Sequence, residues 1–234
     1  IEGKHVLCES PIASSGKECK ELFELAKKQK CVLMEGIKTA YSTAYSRLLL
    51  LAKSGEIGKI VSVDATCTSM RDDLDSLENK WNSISAWGPT ALLPIFQLLG
   101  INYTDKKIIS HYIDDDKMFD GFTKIDFIYP DSVASIKVAK TAKSEGELII
   151  TGTKGYIYVP APWWKTDYFE IRYEDPTENK RYFYKLDGEG IRYEIVAFNR
   201  SIESGKNYSY IDSKISIAIS EIIEACKSNN VIEI

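Results

Sequence analysis

The sequence predicts an α/β portion, the end of one βαβ unit, followed by an α+β portion built on an open, mostly antiparallel sheet with helices on one face. Three observations predict it. Within the first 36 residues a short apolar strand, an amphipathic helix and a second apolar strand follow one another. From about residue 106 to 185 strand patterns succeed each other with only short turns between them. Two amphipathic helices then close the chain. A strand–helix–strand unit of this length makes its strands parallel and the crossover right-handed, whereas strands joined by short turns pair antiparallel.

The opening run, Gly3-Lys4-His5-Val6-Leu7-Cys8-Glu9-Ser10-Pro11-Ile12-Ala13, is an apolar strand halted by an acid, a hydroxyl and a proline. In α/β proteins ligands sit outside the carboxyl ends of such strands. Ser15 and Glu18 form a capping box that starts a helix, with Cys19, Leu22, Phe23 and Ala26 as its apolar face. Cys31 to Met34 is the second strand, ending at Glu35-Gly36, which sets a division into residues 1–36 and 37–234. A helix over Ala44 to Lys53 follows and stops at Ser54-Gly55. In the strand from Lys59 to Met70, Val61, Val63, Ala65 and Cys67 alternate with Ser62, Asp64, Thr66 and Thr68, one face buried and one polar.

The stretch Arg71 to Lys80 reads as a polar loop, and its Asp72, Asp73 and Asp75 as solvated rather than metal-binding. A helix is expected from Trp87-Gly88-Pro89, with Pro89 in the first turn, where a missing N–H is harmless. Leu92, Leu93, Phe96 and Leu99 form its buried stripe, Pro94 is a kink position, and Gly100 ends it. The strand patterns include Ile125, Phe127 and Tyr129, then Ala134, Ile136 and Val138, then Leu148 to Thr151 and Tyr156 to Val159. The closing helices carry Ile191, Ile195, Phe198 and Ile202, and Ile211, Ile215, Ala218, Ile219, Ile222 and Cys226; both are expected to lay these faces on the sheet.

A net charge of −4 and a pI near 5.4 exclude the basic footprint that nucleic-acid binding needs. No apolar run reaches the roughly 18 residues of a membrane span. Five scattered cysteines, Cys8, Cys19, Cys31, Cys67 and Cys226, read as reduced core residues, which places the protein in the cytoplasm. Two histidines are too few for a metal site, and His5 within the first strand reads as structural. The chain opens at Ile1, inside a motif, and reads as a piece of a longer protein.

Gly152-Thr153-Lys154-Gly155 lies between two strands, so it reads as a hairpin turn using positive φ rather than a phosphate cradle, which requires a following helix. Trp163 and Trp164, with Tyr168, Phe169, Tyr173, Tyr182, Phe183 and Tyr184, are either sheet packing, a dimer interface or a sugar-stacking surface. No Gly-x-Gly-x-x-Gly occurs.

The opening run resembles the Gly-Lys-His-Val-Leu-x-Glu-Lys-Pro segment of the Gfo/Idh/MocA oxidoreductases. Val32 to Gly36, Ser54 to Ile60 and Gly152 to Gly155 fall, in order, where that family has similar segments. The resemblance implies a Rossmann domain binding NAD or NADP, with residues 1–36 as its carboxyl-terminal remnant. It implies further that residues 37–234 form a substrate and dimerisation domain, paired into a homodimer through the open sheet. Glu9, Ser10 and Pro11 would then lie on the cofactor, beside a sugar-like or cyclitol substrate.

The departures are as telling. Ser10 stands where the resemblance expects lysine, and Ala86, Gly88, Thr90 and Leu93 fall on its Asp-x-Gly-x-His segment and following Asp, with Ala40 at an arginine. Serine supplies no cation for a developing alkoxide. Ser10, Thr90 and Lys38 remain as the candidates for chemistry. The expectation is a dehydrogenase-like chain with a substituted catalytic motif that neither grips the dinucleotide nor turns over alone; the alternative is a non-catalytic dimerisation or sugar-binding module.

Overall fold

A computed structural model describes residues 2–70, 81–185, 188–228 and 230–234. Asp72, Asp73 and Asp75 lie outside the described residues.

Strand β1 (Val6–Glu9), helix α1 (Gly16–Lys28) and strand β2 (Leu33–Gly36) form the βαβ unit. The two strands pair parallel, Val6 opposite Leu33 through Glu9 opposite Gly36. The capping box forms: the Ser15 hydroxyl accepts from the Glu18 N–H, satisfying one of the donors a helix start leaves open. His5 is structural as read, its Nδ1 accepting from the Val32 N–H at 2.9 Å. After a 3-10 turn over residues 38–41 come α2 (Thr43–Lys53), β3 (Ile60–Thr68) and α3 (Ser83–Leu99).

The strands β4 (Asp105–Tyr112), β5 (Asp120–Ile128), β6 (Val133–Ala139), β7 (Leu148–Gly152), β8 (Tyr156–Val159), β9 (Tyr168–Arg172) and β10 (Lys180–Phe183) follow. Helices α4 (Ile191–Ser204) and α5 (Ser213–Ala225) and a short strand β11 (Ile232–Glu233) end the chain. The large sheet runs β10-β9-β8-β7-β3-β6-β5-β4-β11. It is mixed: β3 runs parallel to β6 and β11 parallel to β4, while its other pairings are antiparallel. The meander was legible, but the insertion of β3 between β6 and β7 was not.

Helix α3 is the centre of the molecule. It packs on β3, β5 and β6 on one side and on α5 on the other, and α5 in turn packs on α1. Ala91 to Phe96 are buried almost without exposure. The helix begins earlier than its Pro89 suggests, because Asn82 caps the Ser85 N–H and the Asp120 carboxylate takes the Ile84 N–H at 3.1 Å. Pro89 therefore lies beyond the first turn.

Several local expectations are corrected. Thr66 and Thr68, assigned to a polar face, are buried, while Val61 is exposed; Thr68 Oγ1 donates to the Ser144 carbonyl. The turn Gly152 to Gly155 joins β7 to β8, but neither glycine has positive φ. Their absent side chains instead make room, since a Cβ on Gly152 would meet the Ile57 carbonyl oxygen at 2.1 Å. Helix α4 turns Glu194, Ala197 and Ser201 inward, and Ile191 and Ile195 are exposed. The main packing of α4 and α5 is not on the sheet: α4 packs on the 3-10 turns at 38–41 and 188–190, and α5 on α1 and α3. Trp163 and Trp164 are buried, with Trp163 Nε1–H donating to the Thr66 carbonyl at 3.0 Å, which takes Trp163 into the core and leaves Trp164 at the wall of a cavity. All five cysteines are free, with Cys19, Cys67 and Cys226 buried. Among the described residues no helix is long and apolar enough to cross a membrane.

Candidate active site

The carboxyl ends of β1 and β2 open onto a cavity of about 440 Å³. Around it stand Glu9 and Ser10 from the end of β1, Gly36 to Thr39 from the end of β2, Ala86, Trp87 and Thr90 from α3, Trp164 and Lys165, and Ile191 and Glu194 from α4. Four of the residues singled out in the sequence, Glu9, Ser10, Lys38 and Thr90, thus meet at one place although they are spread from position 9 to position 90 of the chain. Pro11, joined to Ser10 by a cis peptide, is not among the lining residues.

The hydroxyl of Ser10 is committed. Its Oγ donates to Glu35 Oε1 at 2.5 Å. Glu35 is almost wholly buried at the end of β2, and burial raises its pKa above the usual carboxylate range, against hydrogen bonds that lower it, the one from Ser10 foremost. Lys38 is also committed: it pairs with Glu189, whose other oxygen takes Lys165 at 3.0 Å. The two lysines hold the Glu189 carboxyl below its ordinary pKa. Lys38 is therefore no free cation standing in for the lysine that Ser10 replaces.

Sequence reasoning missed a further buried carboxylate. Glu194 is 5% exposed, and its Oε2 is buried with no hydrogen-bond partner. Burial pushes its pKa up to about 7, with the Glu9 charge adding to the shift and Lys38 opposing it. The carboxyl rests against the end of β2, where a side chain on Gly36 would come within 3.1 Å of Glu194 Oε1 and 3.3 Å of the Cys8 carbonyl oxygen. The small residues Ala197 and Ser201 on the same face let α4 approach this closely. That spacing of an acid with two small residues was the available signal; the louder Ile191-Ile195-Phe198-Ile202 stripe concealed it.

Two parallel strands ending in a turn beside a cavity, on the flank of a broad open sheet, form the kind of edge at which α/β proteins bind ligands. The comparisons agree with it. Residues 2–37 match the model of an oxidoreductase family with an NAD-binding Rossmann fold, the Gfo/Idh/MocA family. The chain is similar, at 48% identity over 46 residues, to scyllo-inositol 2-dehydrogenase (NADP(+)) IolU of Bacillus subtilis (strain 168), a match covering 20% of this chain and 14% of that protein. In fold it is similar to KijD10, a 3-ketoreductase from Actinomadura kijaniata solved with NADP, with a TM-score of 0.80 at 16% identity over 99% of this chain and 71% of that one. It is likewise similar to the aldose-aldose oxidoreductase of Caulobacter crescentus solved with glycerol, with a TM-score of 0.82 at 17% identity over 96% of this chain and 69% of that one. The resemblance to the Gfo/Idh/MocA oxidoreductases read in the opening run is a finding at its own segment, and the fold extends the likeness along the chain.

The ends of the two parallel strands, with Glu9 and Ser10 beside the cavity, leave room for a ligand there, and the sequence carries no Gly-x-Gly-x-x-Gly of the kind that holds a pyrophosphate.

Proposed function

We propose that this chain belongs to an NAD(P)-dependent oxidoreductase acting on a hydroxyl of a sugar or cyclitol. Residues 1–36 are the end of the cofactor domain and 37–234 the substrate and dimerisation domain. The single observation that carries the reading is the position of the family-matched segment 2–37, whose strand ends open directly onto the cavity containing Ser10, Lys38 and Thr90. When bound, the cofactor supplies hydride acceptance or donation. The chain's own residues do the rest: Glu9 and Ser10 border the nicotinamide position, Thr90 offers a hydroxyl to a polyol, and the Lys38–Glu189–Lys165 cluster rims the opening.

The test is turnover by the protein carrying this chain, followed at 340 nm with scyllo-inositol, myo-inositol or glucose and NAD+ or NADP+. Turnover is expected, weakened by Ser10→Ala and Lys38→Ala. A protein that binds neither cofactor and oxidises none of these polyols overturns the reading. Titration of this chain alone with NADPH is expected to give binding weaker than micromolar.

A second reading, a non-catalytic module on the same fold, is favoured by the commitment of Ser10 to Glu35 and of Lys38 to Glu189. It predicts a homodimer with no turnover. The homodimer would form through the exposed face of the large sheet, and light scattering of the purified protein at twice the chain mass is its check.

A further inference from the structure

We propose that Glu194 is the group that exchanges the substrate's hydroxyl proton in this cavity, a role that rests on the oxidoreductase reading above. Each group expected to do so is absent or engaged. Ser10 replaces the lysine of the resembled motif and donates to Glu35, Thr90 stands at its acid-base position, and Lys38 is neutralised by Glu189. Neither hydroxyl is an acid or base in the neutral pH range.

Among the acids with an unpaired buried oxygen, Glu194 is the one that lines this cavity. It lines the same cavity as Ser10, Lys38 and Thr90. Its Oε2 has no partner among the described residues. An unpaired buried oxygen carries the desolvation penalty of that group, so in a folded protein it is the exception. A ligand hydroxyl entering the cavity that Glu194 lines would supply the missing partner. Glu35, another buried acid nearby, takes Ser10 on Oε1 and likewise leaves Oε2 without a partner, but it lines a different cavity, between α1 and the loop leading into α5.

The charged and titratable groups facing Glu194 are Glu9 at the end of β1, Lys38 and the Tyr41 phenol of the 3-10 turn after β2, and, through Lys38, Glu189 and Lys165. Glu9 opposes ionisation of Glu194 and Lys38 favours it. Burial outweighs both and leaves the carboxyl poised near neutrality, where a general acid-base group is most effective. In the oxidation direction the carbinol C–H hydrogen leaves with its electron pair to NAD(P)+, the O–H proton passes to the Glu194 carboxylate, and the C=O bond forms. The reverse returns the proton from the neutral acid.

Two measurements test this on the purified protein. The first is the infrared protonated-carboxyl band between pH 5 and 9, compared with Glu194→Gln. A band titrating near pH 7 is expected, absent in Glu194→Gln and lowered in pH midpoint by Ser10→Lys, which restores a cation beside it. The second is the pH profile of kcat/KM for scyllo-inositol oxidation with NADP+. Glu194→Gln is expected to lose the acidic limb and to fall by about 10²–10³-fold, typical of general acid-base groups. No band titrating near pH 7 overturns the proposal. Turnover that keeps both its rate and its acidic limb in Glu194→Gln removes the role while leaving the oxidoreductase reading intact. No turnover by the unsubstituted protein removes both.

Discussion

Ser10 and Glu35 are joined by a 2.5 Å hydrogen bond that ties the turn after β1 to the end of β2, immediately behind the candidate site. Where a lysine in this turn would project a charge into the cavity, the serine turns its hydroxyl to a neighbouring strand. The exchange alters what the turn does more than whether it forms.

Removing that hydroxyl should be felt in stability. Ser10→Ala leaves Glu35 buried with one hydrogen bond fewer, so its pKa should rise further. The fold should lose about 1–3 kcal/mol, the usual result of depriving a buried acceptor of its donor. Urea unfolding at pH 7 measures it, and an unchanged midpoint would show that the carboxyl finds water instead.

Glu194 should make the protein less stable as pH rises. Its folded pKa, about 7, exceeds the ordinary 4.5, so between those values the folded state holds a proton that the unfolded state has lost. Stability therefore falls as pH climbs through this window and is flat beyond it. The full effect is at most about 3 kcal/mol. Asp120, pushed up to about 6 by its burial at the start of α3, adds a slope of the same sign. Glu194→Gln should remove its own share, raising the unfolding midpoint at pH 8 much more than at pH 5. An equal gain at both values would place the carboxyl's pKa near normal.

Gly152→Ala should destabilise by about 1–3 kcal/mol through overpacking. The obstacle is the Ile57 carbonyl, a backbone atom that no rotamer change can move. A thermal melt decides it. Tolerance of alanine would mean that the β7–β8 turn can shift away from the segment before β3.

What the sequence made legible follows from the range of each interaction. The Ser15 capping box, the parallel pair β1–β2 and the meander β4–β6 depend on residues near one another or on simple alternation. All were readable. The inward face of α4 was not, because its choice lies with distant partners. Ile191 and Ile195 form the better apolar stripe, yet the helix docks through Ala197 and Ser201 and buries Glu194. The aromatic run at Trp163 was ambiguous for the same reason: only the Thr66 carbonyl, nearly a hundred residues away, shows it to be core. Of the site, Glu9, Ser10, Lys38 and Thr90 could be nominated by resemblance or position. Their engagement with Glu35 and Glu189, and the orphaned oxygen of Glu194, required three dimensions.

The placement of β3 between β6 and β7 has a consequence for how the chain is made. Its partners lie far ahead in sequence, so the sheet has high contact order at its middle, where order matters most. On a ribosome adding about 5–20 residues each second, β3 would wait for roughly 80 further residues, on the order of 4–16 s, before β7 is available. Until β6 emerges Val63, Ala65 and Cys67, enclosed at the end, have no sheet to enter, and the edge that β7 takes stays open for the remainder of that interval. The nascent chain's exposure to misassembly is therefore concentrated in one nine-residue segment.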